Sequence, residues 1–585
     1  MGDPDGTRED PTPPDARAAQ LPDDPEDQIY LDPDVAIEVT PPVDVVTIDH
    51  AEAGLEPPQV DPVEAAGPED ASPAETAPQP SAEPEVHLEV ERKLRVHGLF
   101  RLPDLSAADN GVARAKRQVT RQLSAVYHDT DDLRLARWGV TLRRRVGGDD
   151  PGWHLKLPVE GRRGTREEVR LTLEAGEGEV PAELAELVLA YTRNAPLRAV
   201  AELRTERTPY VLFDADGRAF AELVDDTVSV LDGEHVAARF RELEVEALVE
   251  DAPLEPVVRS LLAAGGVPVE DSKAATALGP VTQEPPDVPE PQRVGPEDPA
   301  GAAVMAHLRL HARAFLMQDV RVRRDLPDSV HQMRVAARRL RSGLKVFEPL
   351  LDEQWAEALR VDLGWIAGEL GVSRDTEVLQ DRIDLHADEV GEGYAPMIRA
   401  VVDPALSAQW RDARDHALKA MVSARYRDFL DSLVDAARNP RLNASAEQPA
   451  GDVLPALVDK AWRKLRKEVK VLELDGEAHP WHEARIRAKK ARYAAEAVAP
   501  VMGERVKRFA KALAQVTEVL GEHQDAWVAQ ETLRGLAASP DVDGLSGFSL
   551  GLLHEFEFEQ ELFARNDFVE LWPSVERAHK KARLA

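Results

Sequence analysis

Val86-His87-Leu88-Glu89-Val90-Glu91-Arg92-Lys93-Leu94 alternates apolar with charged residues over nine positions. Side chains in a strand repeat every two residues, so Leu88, Val90 and Leu94 share one face while Glu89, Glu91 and Lys93 share the other. The same alternation recurs at 141–145, 153–157, 167–171, 210–213, 220–224 and 240–246. Turn residues lie between these runs: Gly147-Gly148-Asp149-Asp150, Asp214-Ala215-Asp216-Gly217 and Leu231-Asp232-Gly233. This pattern predicts an antiparallel sheet or barrel, with helices over 107–125 and 181–193. The charged face concentrates acid on two strands, Glu89/Glu91 and Glu242/Glu244/Glu246, and base on others, including Arg143, Arg145, Lys156, Arg166, Arg204 and Arg207. Half-solvated strands also alternate. Stacked like charges, however, repel unless counter-charges sit among them. If the charged face turns inward, the ligand that suits both sides is a phosphate chain with a hard divalent cation.

The whole chain has 585 residues, no cysteine, and 72 Lys+Arg against 107 Asp+Glu, a formal charge of -35. The missing cysteine excludes disulfides, thiol catalysis and cysteine-ligated metals. No apolar run reaches membrane-span length, and the first residues have no secretory leader pattern, so the expectation is a cytoplasmic protein. The charge is uneven. Residues 1–84 hold 22 acidic residues against Arg8 and Arg17, together with 17 prolines. That composition cannot bury enough apolar surface to offset ordering entropy, so 1–84 is expected to be a disordered acidic tail. Seven prolines in 279–300 predict a stiff, extended linker. Two folded regions remain, 85–278 and 301–585, and the second is near neutral with 42 Lys+Arg against 45 Asp+Glu.

The ordered set Glu89-x-Glu91-x-Lys93, Leu142-Arg143-Arg144-Arg145, Leu155-Lys156, Arg166-x-Glu168, Arg204, Arg207, Ala221-Glu222-Leu223, Glu242/Glu244/Glu246 and Ser272-Lys273 resembles the CYTH, or triphosphate tunnel metalloenzyme, family. The resemblance implies an eight-stranded antiparallel tunnel that binds triphosphates with Mg²⁺ or Mn²⁺. It implies that Glu89, Glu91 and Lys93 are catalytic. Lys93, Arg143, Arg145, Lys156, Arg204 and Arg207 would clamp phosphate oxygens, and Glu89, Glu91, Glu244 and Glu246 would hold metal. Phosphoryl transfer asks for charge neutralisation and positioning more than for a covalent nucleophile. Family activities include hydrolysis of tripolyphosphate or other triphosphates, and cyclisation of ATP.

The second region repeats itself. Pro299-Ala300-Gly301 recurs as Pro449-Ala450-Gly451, Leu370-Gly371-x-x-x-Asp375 recurs as Leu520-Gly521-x-x-x-Asp525, and His331-x-x-Arg334 recurs as His482-x-x-Arg485. An offset of 150 or 151 marks a duplicated helical unit. His331, Arg334, Arg338, Arg341 and Lys345 step by three and four along one helix face, as do His482, Arg485, Lys489 and Arg492. No acid lies between His331 and Phe347 or between Ala484 and Ala495, and two such helices facing one groove would suit an extended polyanion. Each stripe taken singly also reads as a solvated basic face, and each histidine as a buried structural group. This region resembles a CHAD domain, a helical bundle often found beside CYTH. The resemblance implies binding of inorganic polyphosphate and association with polyphosphate granules. The acidic run Glu555 to Glu561 is expected to be a helix flank away from the groove. The fold class is therefore multidomain α+β, a tunnel barrel followed by an all-α duplicated bundle. The function expected is a metal-dependent triphosphatase that also binds polyphosphate. A non-catalytic polyphosphate-binding protein and a CYTH-type adenylate cyclase are the alternatives. Nucleic acid is disfavoured because no aromatic platform is interleaved with the basic helices.

Overall fold

The computed structural model describes residues 85–107, 110–159, 164–176 and 178–584, so the acidic tail 1–84 lies outside the described residues. Ten strands are present among them: β1 (Glu85–Val96), β2 (Arg114–Arg117), β3 (Arg121–Asp129), β4 (Thr141–Val146), β5 (Gly152–Pro158), β6 (Thr165–Leu171), β7 (Arg198–Phe213), β8 (Ala219–Asp232), β9 (His235–Ala247) and β10 (Val267–Val269). Eight of them close into an antiparallel barrel in the order β1-β6-β5-β4-β3-β7-β8-β9, and β9 pairs back onto β1 with Glu91 opposite Glu246 and Lys93 opposite Glu244. Closure leaves these eight strands without a free edge. β2 adds to β7 and β10 to β1 outside the ring.

The helix expected over 107–125 is a correction. Residues 114–117 and 121–129 are strands, and β3 pairs along its whole length with β7. Alanine and arginine are good helix formers, but propensity is a weak prior, and the alternating burial of Leu123, Ala125 and Tyr127 against the sheet overrides it.

The barrel's outer wall is covered by helices α1 (Arg134–Arg137), α2 (Ala182–Leu187), α3 (Leu189–Thr192) and α4 (Leu254–Ala263), while α5 (Lys273–Leu278) packs on the interior, with Ala274 beside Tyr127 and Leu203. α4 buries Leu254, Val257, Val258 and Leu261, spaced three and four apart, on Leu94, Leu243 and Val245. Each such side chain contributes about 1.5–3 kcal/mol on burial.

The helical region contains α6 (Ala300–Arg323), α7 (Ser329–Val346), α8 (Glu353–Glu369), α9 (Gly371–Val390), α10 (Ala395–Met421), α11 (Ala424–Arg438), α12 (Ala450–Val469), α13 (Ala478–Met502), α14 (Glu504–Ala537) and α15 (Gly544–Ala582). At an offset of 150 residues, α8 with α9 corresponds to the single α14, and α10 with α11 to the single α15. The duplicated unit is thus four long helical segments, broken twice in the first copy. The Pro-Ala-Gly repeats are where the copies meet: Ala300 donates to the Gln448 carbonyl and Ala450 to the Asp298 carbonyl, each at 2.8 Å. A Cβ at Gly301 would lie 2.6 Å from Leu442 Cδ1 and 3.3 Å from Ala446 Cβ, so a larger residue there would have to displace the Leu442 side chain.

The Pro-rich segment is largely irregular, as its composition predicts, but it is not a free spacer. Val288 is fully buried, in a core continuous from the outer wall of β4, β5 and β6 into α6 and α7. Asp287 accepts from the Trp138 indole at 2.8 Å and pairs with Arg193 at 2.5 Å, while Arg193 also reaches Asp431 at 2.8 Å. Arg313 donates to the Val288 carbonyl at 2.6 Å, and Arg324 pairs with Glu167 at 2.5 Å. The strap therefore fastens barrel to bundle. Asp287→Ala leaves a buried indole N–H and a buried guanidinium short of a partner, and is expected to cost about 3 kcal/mol in urea unfolding of the full chain. A cost below about 1 kcal/mol would mean that the strap only drapes the surface.

Candidate active site

The charged strand face points inward. A cavity of about 190 Å³ inside the barrel is lined by Glu89, Glu91 and Lys93 of β1, Arg143 and Arg145 of β4, Lys156 of β5, Arg207 of β7, and Glu244 and Glu246 of β9. These nine residues, separated by up to 157 positions in sequence, are brought together by strand alternation and closure. Each cation faces an acid. Lys156 Nζ lies 2.5 Å from Glu89, and Lys93 Nζ lies 3.1 Å from Glu91 and 3.4 Å from Glu244. Arg207 donates to Asp226 at 2.9 and 2.6 Å and to Glu244 at 3.0 Å. Arg145 pairs with Asp150, and Arg143 donates to the Tyr127 hydroxyl at 3.3 Å.

Arg204 is a correction. Its side chain is 62 % exposed on the outer face of β7, beside Glu202. Residues 204 and 207 differ by an odd number, so a continuous strand must point them to opposite faces. Arg204→Gln is expected to leave turnover within about twofold, whereas Arg207→Gln, which strips the counter-charge from Asp226 and Glu244, is expected to lower kcat/KM about a hundredfold or more. A phosphate-release assay on the two variants checks this pair, and equal effects would reverse the assignment.

Several lining residues were not among the predicted clamps: Arg121, Arg166, Glu168, Arg170, Glu222 and Lys273. Lys273 begins α5, which Ser272 caps by accepting from Ala275 N–H. Its ammonium meets Glu244 at 2.7 Å, Glu242 at 2.9 Å and Asp226 at 3.1 Å, and all four side chains are a tenth exposed or less. Glu168 sits among Arg143, Lys156 and Arg170, with His154 Nδ1 at 3.0 Å from its Oε1. Parity on β6 would have found Glu168 and Arg170 from Arg166, but no periodicity marks Lys273.

The electrostatics follow from crowding. Burial opposes the charge on Glu91, but Lys93 and Lys156 outweigh it and hold the carboxyl below its usual range. Burial raises Glu89 against the pull of Lys156. Burial, with Glu89, Glu91 and Glu244 alongside, outweighs the pull of Lys156 and pushes Glu246 up to about 7. The lining as a whole carries nine basic and eight acidic side chains, one net positive charge.

That balance bears on the family's divalent cation. The walls alone cannot neutralise a triphosphate. Glu89, Glu91, Glu244 and Glu246 offer oxygen donors only, the type that Mg²⁺ and Mn²⁺ take. Among the described residues no three acidic or histidine side chains form a ready cage. The set therefore fits an ion held by one or two carboxylates and completed by phosphate oxygens and water, the usual mode for Mg²⁺.

The basic stripes lie on α7 and α13, which are in contact. His331, Arg334, Arg485 and Arg492 are buried; Arg338, Arg341, His482 and Lys489 are half-buried. Arg334 donates to the Gly371 carbonyl at 3.2 Å and to Asp375 at 2.9 Å. Arg485 lies 3.8 Å from Asp525, which burial pushes up to about 7 despite Arg485 and Arg382 nearby. His482 Nδ1 is 2.5 Å from Gln524 Oε1, and Arg492 is held by Glu496 and Thr517. Lys345 departs from the stripe: it is exposed at the helix end and paired with Glu348 at 2.9 Å. The acidic run on α15 is also corrected. Glu557 is fully buried against Arg382 and His386, and Glu561 against Arg565 and Gln530, so half of it is interior counter-charge rather than a flank.

Comparison with known proteins gives these features a family. The CYTH domain family matches residues 87–264 and the CHAD domain family residues 306–534. An uncharacterized protein of Mycobacterium tuberculosis is 33% identical over 533 residues, covering 87% of this chain and 99% of that protein. Among solved structures, PptA from Streptomyces chartreusis is 26% identical over 47% of this chain and 100% of its own, with a TM-score of 0.42. The CHAD domain of the plant Ricinus communis is 25% identical over 48% of this chain and 96% of its own, with a TM-score of 0.39. A Hippeastrum protein described as an adenylyl cyclase with a dominant triphosphatase activity is 19% identical over 33% of this chain and 98% of its own, with a TM-score of 0.22. CYTH-domain proteins act as triphosphatases or cyclases on triphosphate substrates and use divalent metal ions. With both domain families matched in order and a relative similar across nearly its whole length, the chain belongs to the family of proteins in which a CYTH domain is followed by a CHAD domain.

Proposed function

We propose that the chain hydrolyses inorganic tripolyphosphate or a related triphosphate in its tunnel, with Mg²⁺ or Mn²⁺, and binds inorganic polyphosphate on its helical domain. The supporting observation is the enclosed, nearly charge-balanced lining of nine bases and eight acids. In this reading Lys93, Arg143, Arg145, Lys156 and Arg207 hold phosphate oxygens, joined by Arg170 and Lys273. Three of them must first release a carboxylate: Lys93 releases Glu91, Lys156 releases Glu89, and Arg207 releases Glu244. The carboxylates so freed are those placed to hold the cation, so substrate and cation bind together and each weakly alone. The bound cation supplies charge neutralisation at the phosphate oxygens and at the attacking water. The arginines fix the chain in line, and closure of the barrel keeps bulk water from screening them. Among the described residues that line the tunnel Tyr127 alone is aromatic, which favours a bare phosphate chain over a nucleotide.

Among the described residues no helix is long and apolar enough to cross a membrane. A cytoplasmic location with association to polyphosphate granules belongs to the same proposal.

The test is phosphate release by the full chain, because barrel and bundle share one core and a barrel fragment would expose it. Orthophosphate from tripolyphosphate with Mg²⁺ or Mn²⁺, abolished by chelation, is expected. Cyclic AMP and pyrophosphate from ATP would instead identify a cyclase. No product from either substrate, with polyphosphate still bound, would leave a binding protein.

A further inference from the structure

The helical domain is two-fold in its contacts as well as in its sequence, and that symmetry restricts what can lie along it. Ala300 donates to Gln448 and Ala450 to Asp298, both at 2.8 Å, and each residue is 150 positions from its counterpart. The two copies therefore meet through the same patch, as in an isologous dimer contact. α7 and α13 lie against each other, and each sends its leading arginine to an aspartate on the long helix behind it, Arg334 to Asp375 and Arg485 to Asp525. Arg338 on α7 corresponds to Lys489 on α13.

A two-fold axis across a groove exchanges its two directions. A ligand that uses both halves alike must look the same from either end. Phosphates joined by bridging oxygens do so, because a two-fold axis passes through each bridging oxygen. A single nucleic-acid strand does not, since its sugars impose a direction, and neither does a peptide. We propose that the helical domain binds linear inorganic polyphosphate without regard to chain direction, its two halves contributing equally, and that this symmetry selects against single-stranded nucleic acid. The inference rests on the polyphosphate reading above and adds the rule of selection. The symmetry stops at the stripe's end, where Lys345 corresponds to Glu496, an acid held by Arg492 and Arg339. Equality is therefore expected of the inner pairs.

The experiment is fluorescence anisotropy of the full chain with end-labelled linear polyphosphate. Arg338→Gln and Lys489→Gln, both at half-buried positions, are each expected to weaken binding about tenfold, with factors agreeing within about twofold. Arg334→Gln and Arg485→Gln give a second pair, with thermal unfolding as the check that each variant is folded. A single-stranded oligonucleotide of equal phosphate count should displace the probe at least about tenfold less well than unlabelled polyphosphate. Folded variants whose effects differ more than about fivefold, or equal displacement by the single strand, would overturn the inference while polyphosphate binding stands. Equal displacement by duplex RNA, which carries its own dyad, would overturn the choice of ligand. Failure of the unaltered chain to bind polyphosphate at all would overturn the reading beneath and this inference with it.

Discussion

Replacing Glu89 and Glu91 together with glutamine is expected to lower tripolyphosphate turnover about a thousandfold or more, while polyphosphate binding by the helical domain is unchanged. Glutamine keeps the shape of both side chains, so the packing of β1 between β6 and β9 is preserved. What is lost is anionic oxygen. Lys156 and Lys93 lose the partners at 2.5 and 3.1 Å, and the lining moves from one net positive charge to three. A more positive tunnel holds a triphosphate more firmly in the ground state. A tunnel with fewer carboxylates holds the cation less well and gains nothing at the transition state. The expected signature is therefore a fall in kcat together with an unchanged or lower KM, not a simple loss of binding. A variant that kept kcat would remove both carboxylates from the reaction. A variant that lost polyphosphate binding as well would show that the two sites are not separate.

How far the sequence carried depends on whether a feature has a period. The barrel interior was legible because parity along a strand assigns every side chain to a face once one is known: Glu89 places Glu91 and Lys93, and Glu242 places Glu244 and Glu246. Arg204 was misplaced when charge and resemblance were followed over parity, for its odd separation from Arg207 already put it outside. The strand over 121–129 was readable in Leu123, Ala125 and Tyr127 but was masked by residues that favour helix. Composition told that the Pro-rich segment would not be helical; it could not tell that Asp287 and Val288 would be buried, since packing depends on partners far away in the chain. The Pro-Ala-Gly repeat announced a duplication, yet its role, an exchange of backbone hydrogen bonds between copies, has no side-chain signature. Glu557 and Glu561 stand four apart on one face of α15 and could have been read as a buried row, but acid is so seldom interior without a partner that only Arg382 and Arg565 explain it. Lys273 had no periodicity to mark it and was named only within the Ser272-Lys273 motif; its role shows in the three carboxylates that converge on it.

That convergence makes Lys273→Met the second large expected effect, on stability. Methionine fills a similar volume but removes the cation shared by Asp226, Glu242 and Glu244. Asp226 and Glu242 have no solvent exposure to fall back on. Arg207 still reaches Asp226 and Glu244, and Arg95 lies 3.4 Å from Glu242, so the acids are not wholly abandoned. Breaking one partner out of a buried ionic cluster costs about 3–5 kcal/mol, and urea unfolding of the full chain at pH 7 is expected to show a loss of that order. The dependence on pH separates a lost counter-ion from mere loss of packing. In the unaltered chain burial opposes the charge on Glu244, but Lys273, Lys93 and Arg207 outweigh it and hold the carboxyl well below its usual range. Its contribution is therefore present above the unfolded carboxylate value and lost only as pH falls through the lower folded value. Without Lys273 the buried Glu244 carboxylate takes up a proton more readily than in the unaltered chain, so the variant's deficit grows as pH rises through the carboxylate range. The deficit is then greatest near pH 7 and shrinks toward pH 4–5, near the ordinary carboxylate pKa. A deficit equal at both ends of that range would mean that Lys273 serves as filler, and that the tunnel's acids are balanced by the arginines and Lys93 alone.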